Sequence, residues 1–132
     1  MSKNIQLQEQ RKVIDAIFPN LHMTKEPISK ESMQDALENK AALTAISSVL
    51  AHWENMALAI KLNIVNDEVA FEMTGTILVY YAYKFEEFIK FRRNEQSHFK
   101  AYCYLEDLSD RWKKELQVKN ILLTPVSTPS RI

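Results

Sequence analysis

Apolar residues recur along this chain at helical rather than strand spacing, and the longest such pattern lies between Ala36 and Ile60. Ala36, Leu43, Leu50 and Ala57 repeat every seven residues, and Ile46, Trp53 and Ile60 repeat at the same interval, offset by three. An a/d stripe kept for about three and a half heptads predicts a long, continuous helix in a left-handed bundle. It is expected over about 30–62, after Ser29 as N-cap and with Glu31 in the first turn to complement the helix dipole. Small residues (Ala41, Ala42, Ala45, Ser47, Ser48, Ala51) fill its flank and permit close helix approach, while Asn39 and Lys40 leave room for a break or kink near position 40.

Three more helices follow from the same pattern. A first, over about 4–18, carries Val13, Ile14, Ile17 and Phe18 as a short apolar stripe and stops at Pro19-Asn20. Its polar first half, Gln6 to Lys12, is expected to fray or to pack on another molecule. A third runs over about 67–94, capped by Asn66 or Asp67, with Val69, Ala70, Met73, Ile77, Tyr81, Phe85, Phe88 and Ile89 on one broad face. Gly75 interrupts it at about 1 kcal/mol against alanine, which suits a close helix crossing or a bend. A fourth spans about 97–119, with Phe99, Tyr102, Leu105, Leu108, Trp112 and Leu116 inward. The expectation is an all-α, single-domain bundle of about four helices, two of them long, over 1–123, followed by a flexible tail over 124–132.

Composition narrows the function classes. One glycine in 132 residues removes most of the positive-φ repertoire of hairpins, phosphate loops and tight catalytic turns. Seventeen Lys and Arg offset seventeen Asp and Glu, so no net field favours nucleic acid or an anionic membrane. The single cysteine, Cys103, makes no internal disulfide and suits a reducing, cytoplasmic compartment. The longest greasy run, Met73 to Tyr83, is about half a bilayer span, and the stretch Leu43 to Ile60 is broken by His52 and Glu54, so no membrane span is expected.

Candidate chemistry is sparse. Glu95 and His98 have the Glu-x-x-His spacing of carboxylate-bridged metal bundles, but the second copy that such a site requires is missing. A solvated turn is the simpler account, and no metal or other cofactor is expected. The chain contains no Gly-x-Ser-x-Gly elbow, no phosphate-binding glycine loop and no His-Glu-x-x-His. Cys103, between two tyrosines, reads as a structural thiol. Charged residues inside apolar runs carry more information. Glu54 follows Trp53, Arg92 and Arg93 follow Phe91, and Asp107, Asp110 and Arg111 flank Trp112. A buried Glu54–Arg92 pair fixing the register of the second and third helices is the economical account, and a pocket lined by the two is the functional one. Tyr80, Tyr83 and Phe91 fall beside the main stripe and, with Val13 and Ile17 of the first helix, are interface candidates. Lys84, Lys90, Arg92, Arg93 and Lys100 form a modest basic band diluted by Glu86, Glu87 and Glu95, which argues weakly for nucleic acid.

The run Val49-Leu50-Ala51-His52-Trp53-Glu54-Asn55-Met56-Ala57, then Asn66-Asp67-Glu68, then Phe88-Ile89 with Arg92, and Leu105 through Leu108 to Trp112, resembles a family of small helical bacterial and phage proteins known only as a domain of unknown function. The resemblance covers about Ala42 to Lys114. It implies a helical fold, draws attention to Glu54, Arg92 and Trp112, and implies no activity. Many relatives of this kind carry a membrane segment ahead of the domain, where this chain has its polar-then-apolar first helix. The functional expectation is a non-enzymatic protein–protein interaction module that binds another protein or itself as a homodimer, in its sharpest form a phage- or mobile-element-encoded inhibitor or regulator of a host protein. The alternatives are a metal-dependent helical enzyme using Glu54, Glu72, Glu95 and His98, and a weak nucleic-acid-binding accessory protein.

Overall fold

The computed structural model describes residues 3–94 and 98–123, with side chains over 6–94 and 98–118. Among the described residues there are six helices and no strand: α1 (Lys3–Ile17), α2 (Lys30–Leu37), α3 (Lys40–Lys61), α4 (Asp67–Lys84), α5 (Glu86–Asn94) and α6 (Cys103–Leu123), with a 3-10 turn at Leu21–Met23. The tail expected over 124–132 lies outside them.

The seven-residue stripe identifies the hub. Ile46, Leu50, Trp53, Ala57 and Ile60 are buried, joined by Ala42, Ala45 and Val49, so α3 presents a broad apolar face. Against it pack α1, α2, α4 and α6. In the polar first half of α1, Leu7 packs on the core and Arg11 donates to the Tyr81 hydroxyl at 3.1 Å, and Ile14 is fully buried in the common core.

Six helices rather than about four arise because both long rods break. Asn39 takes extended backbone angles, and its side-chain oxygen accepts from the amides of Ala41 (2.9 Å) and Ala42 (3.2 Å), starting a new helix. Ala36 thus belongs to α2, although it stays buried. The second break is at Phe85. The Lys84 carbonyl, which would accept from Phe88 in a continuous helix, accepts instead from the Ile28 amide at 3.1 Å, and Phe88 turns to Phe85 at 3.0 Å. A loop docking on the helix competes for its backbone. The last helix also starts later than 97: residues 99–102 are turn, and Tyr102 has φ of 60°.

Two inward assignments are corrected. Val69 (55% exposed), Met73 (74%) and Ile77 (37%) face outward, and the buried face of α4 is Ala70, Phe71, Gly75, Leu78, Tyr81 and Ala82. This helix carries large apolar residues on two opposite sides, so periodicity alone does not choose its inner side. Phe99 is 82% exposed because it sits in the turn rather than on α6.

Asn63 replaces the glycine that usually ends a helix. It sits at φ of 60°, its amide donates to Ile60 at 3.0 Å, and the Ile64 amide donates to Ala59 at 2.9 Å. That is a Schellman closure made with asparagine. Gly75 leaves room for a side chain of its own helix. A Cβ there would stand 2.9 Å from Cδ1 of Phe71 one turn earlier, so the glycine leaves room for that ring.

Candidate functional site

Glu54, the carboxylate within the apolar run of α3, reaches the start of α6. It accepts from the Leu105 amide at 2.6 Å and from the Tyr104 amide at 3.4 Å. These first-turn amides have no carbonyl within their own helix. Tyr102, at the usual capping position, has left-handed backbone angles and no short acceptor side chain, so α3 caps α6 across the core. Burial pushes the Glu54 carboxyl above its ordinary value; the Leu105 and Tyr104 amides, then Arg93, pull against that rise.

Glu54 and Arg92 line the same cleft, of about 470 Å³, with Ala51, Asn55, His98 and Tyr102. They act on different groups. Arg92 donates to the Ser47 hydroxyl at 2.6 Å and lies 5.2 Å from the centre of the Phe88 ring. Burial raises the Tyr102 phenol, and Arg92 opposes the rise through its charge and a hydrogen bond. Arg93 braces the same turn, donating to the Ala101 carbonyl at 3.0 Å and to Glu106 at 2.9 Å. Both Glu54 oxygens are thus held by backbone amides of α6. His98 is exposed at the rim of the cleft, and Glu95 lies outside the described residues. Among the described residues no group of three or more His, Cys, Asp or Glu is placed to hold a metal ion.

A second polar node joins α4 to α6. Asp67, in the first turn of α4, accepts from the Trp112 indole at 3.0 Å and from Arg111 at 2.7 Å. Phe71 meets the Trp112 ring edge-on at 5.5 Å. The outer face of α4 is apolar: Val69, Met73 and Ile77, each four residues from the next, share one exposed stripe. Leu62 and Ile64 are exposed in the turn that leads into it. Asp67, Glu68, Glu72, Arg111 and Glu115 rim a cavity of about 420 Å³ floored by Phe71 and Trp112.

Over residues 1–112 the chain matches a family model described as a domain of unknown function, DUF4760. The chain belongs to this family. No curated protein and no solved structure matches it. The match ends on Trp112, so the Glu54 cap and the Asp67–Trp112 node both fall inside the DUF4760 domain, as does α1. Glu115 lies just beyond.

The interface candidates from the sequence scatter across this DUF4760 domain. Tyr80 is half-buried. Its hydroxyl is 3.2 Å from the Leu21 carbonyl and 2.7 Å from His22 Nδ1, and His22 Nε2 is 3.2 Å from Asp15. Burial, then Tyr81 and Asp15, raise the Tyr80 phenol, the opposite of an activated nucleophile. Phe91 and Val13 are half-buried against the core, and Ile17 is half-buried beside Phe18 and Lys84 at another hollow. Tyr83 is exposed. The α4 stripe was missed because its residues resemble core; the signal that finds it is the competing face of Phe71, Gly75, Leu78 and Ala82, where the lone glycine admits a ring.

Proposed function

We propose that this DUF4760 domain is a non-enzymatic docking module that binds another protein through the outer face of α4. The observation that carries the reading is the exposed stripe of Val69, Met73 and Ile77 on a rigid helix whose opposite side is core. Clustered exposed apolar side chains mark interaction surfaces, and methionine adapts to varied partners. The polar groups elsewhere hold the fold: Glu54 caps α6, Arg92 ties to Ser47, and Asp67 ties to Trp112. The nucleic-acid alternative draws on a basic band whose members are engaged, with Lys84 fully buried, Arg93 on Glu106 and Lys90 on Glu87. No helix among the described residues is long and apolar enough to cross a membrane, and the lone Cys103 fits a reducing cytoplasmic setting. The finer form, a phage- or mobile-element-encoded regulator of a host protein, draws on family context alone.

The test is site-specific photo-crosslinking in cells. A crosslinking amino acid at Met73 or Ile77 is expected to capture a discrete partner band, and the same amino acid at Gln34 on α2 is not. Equal capture at all three positions, or none at Met73, removes the proposal.

A further inference from the structure

We propose that the hollow between the connector 18–29 and α2 binds a small organic carboxylate, an acid with an apolar body. At about 680 Å³ it has the size of a small-molecule site. Hydrogen bonds made within the protein leave its polar edge rich in donors. The Asn39 side-chain oxygen is committed to the amides of Ala41 (2.9 Å) and Ala42 (3.2 Å), so its NH2 group is turned away from them. The Ser29 hydroxyl oxygen accepts from the Ser32 amide at 3.1 Å, and the Thr24 hydroxyl oxygen accepts from the Lys84 ammonium at 3.1 Å. A hydroxyl whose oxygen is accepting still has its own proton to give. All three residues line the hollow and are exposed, and among the described residues their side chains have no further partner.

The charge at the buried side of the hollow has the same preference. Lys84 lines it at 2% exposure, and its ammonium donates to the Thr24 carbonyl, the Thr24 hydroxyl and the Glu26 carbonyl. All three acceptors are neutral, and among the described residues no carboxylate lies within ion-pair distance. Its hydrogen bonds are met and its charge is not balanced, which attracts an anion. The Thr24 hydroxyl links the two, since a hydroxyl polarised by an ammonium donates more strongly to a ligand oxygen. One fixed cation with three neutral donors suits a single negative charge better than a phosphate dianion. Phe18, Ile28 and Ala36 line the same space and suit an apolar body behind the head. Asp35, exposed on α2, is the one carboxylate lining the hollow, and it opposes an anion there.

Amide chemical shifts of the isotope-labelled, full-length protein, titrated with octanoate, octanol, octylamine and inorganic phosphate, test this. Octanoate is expected to shift the amides of Phe18, Thr24, Ile28, Ser29 and Ala36, and to bind about tenfold or more tighter than the other three probes. Three variants, each first shown by circular dichroism to be folded, separate the contributions. Asp35→Asn is expected to tighten octanoate about twofold and to leave octanol unmoved. Thr24→Val is expected to weaken octanoate about tenfold. Ser32→Trp fills the hollow from its exposed edge and is expected to abolish the shifts. Octanol binding as tightly as octanoate overturns the anionic head, and inorganic phosphate binding as tightly overturns the apolar body. Octanoate shifts that are missing, that fall on other amides, or that ignore Asp35→Asn and Thr24→Val overturn the site.

Discussion

Glu54 shows how a charge is held within an apolar run. Its oxygens complete the first turn of α6, at the cost of partial burial that lifts its carboxyl above the ordinary 4.5. A carboxyl whose folded value is raised stabilises the fold fully below the unfolded value, and that contribution is lost as pH rises through the folded value. Glu54→Gln removes the titration and keeps an acceptor for the Leu105 amide. The stability of the wild type relative to Glu54→Gln, from urea unfolding, is therefore expected to fall as pH rises from about 4.5 upward through the raised value. A relative stability that climbs over that range contradicts the assignment. Gly75 gives a second prediction at the same scale. Gly75→Ala improves helix propensity by about 1 kcal/mol but drives a Cβ to 2.9 Å from the Phe71 ring, which Trp112 holds in place. Alanine is expected to destabilise the wild type and to stabilise a Phe71→Leu background, a change of sign readable in thermal midpoints.

Helices in this molecule begin and end where another segment reaches them. Asn39 starts α3 with two amide bonds, and Asn39→Ala is expected to lower stability by about 1 kcal/mol in urea titrations, with the bundle otherwise intact. Lys84 is the more unusual terminus. It is 2% exposed, and its ammonium donates to the Thr24 carbonyl (2.6 Å), the Thr24 hydroxyl (3.1 Å) and the Glu26 carbonyl (2.8 Å). Three donors meet three oxygens, which is how this buried lysine is satisfied. The same residue's carbonyl takes the Ile28 amide and divides α4 from α5. Lys84→Met keeps the length and removes the donors. Hydrogen exchange is expected to quicken at Ile28 while the α3 core amides hold; an equal loss across all amides refutes a local clasp.

At the scale of the whole molecule, both tryptophans belong to one core: Trp53 from α3 is 4% exposed and Trp112 from α6 is 1% exposed. Fluorescence of Trp53→Phe and Trp112→Phe variants, each reporting the remaining indole, is expected to follow a single transition that coincides with loss of helical circular dichroism. Separate midpoints would split α6 from the bundle. The docking face we propose fits this picture, since a stripe on α4 is displayed by a helix fixed on its other side to α3 and α6.

Helical content, the central position of the 36–60 stripe and the turn before Asp67 were legible in the residues, because spacing of three, four and seven is a local property of the chain. The importance of Glu54, Arg92 and Trp112 was legible too, as charges and indoles in company that demands partners. Their actual partners were not, since the α6 amides, Ser47 and Asp67 lie between 45 and 51 positions away along the chain. The breaks at Asn39 and Phe85 split differently: a capping residue announces the first, whereas the second depends on Ile28 arriving from a distant loop. The same holds for α4. A helix with large apolar residues on two opposite sides specifies that it will pack, and only the neighbours that reach it decide which side is hidden, leaving Val69, Met73 and Ile77 to the solvent.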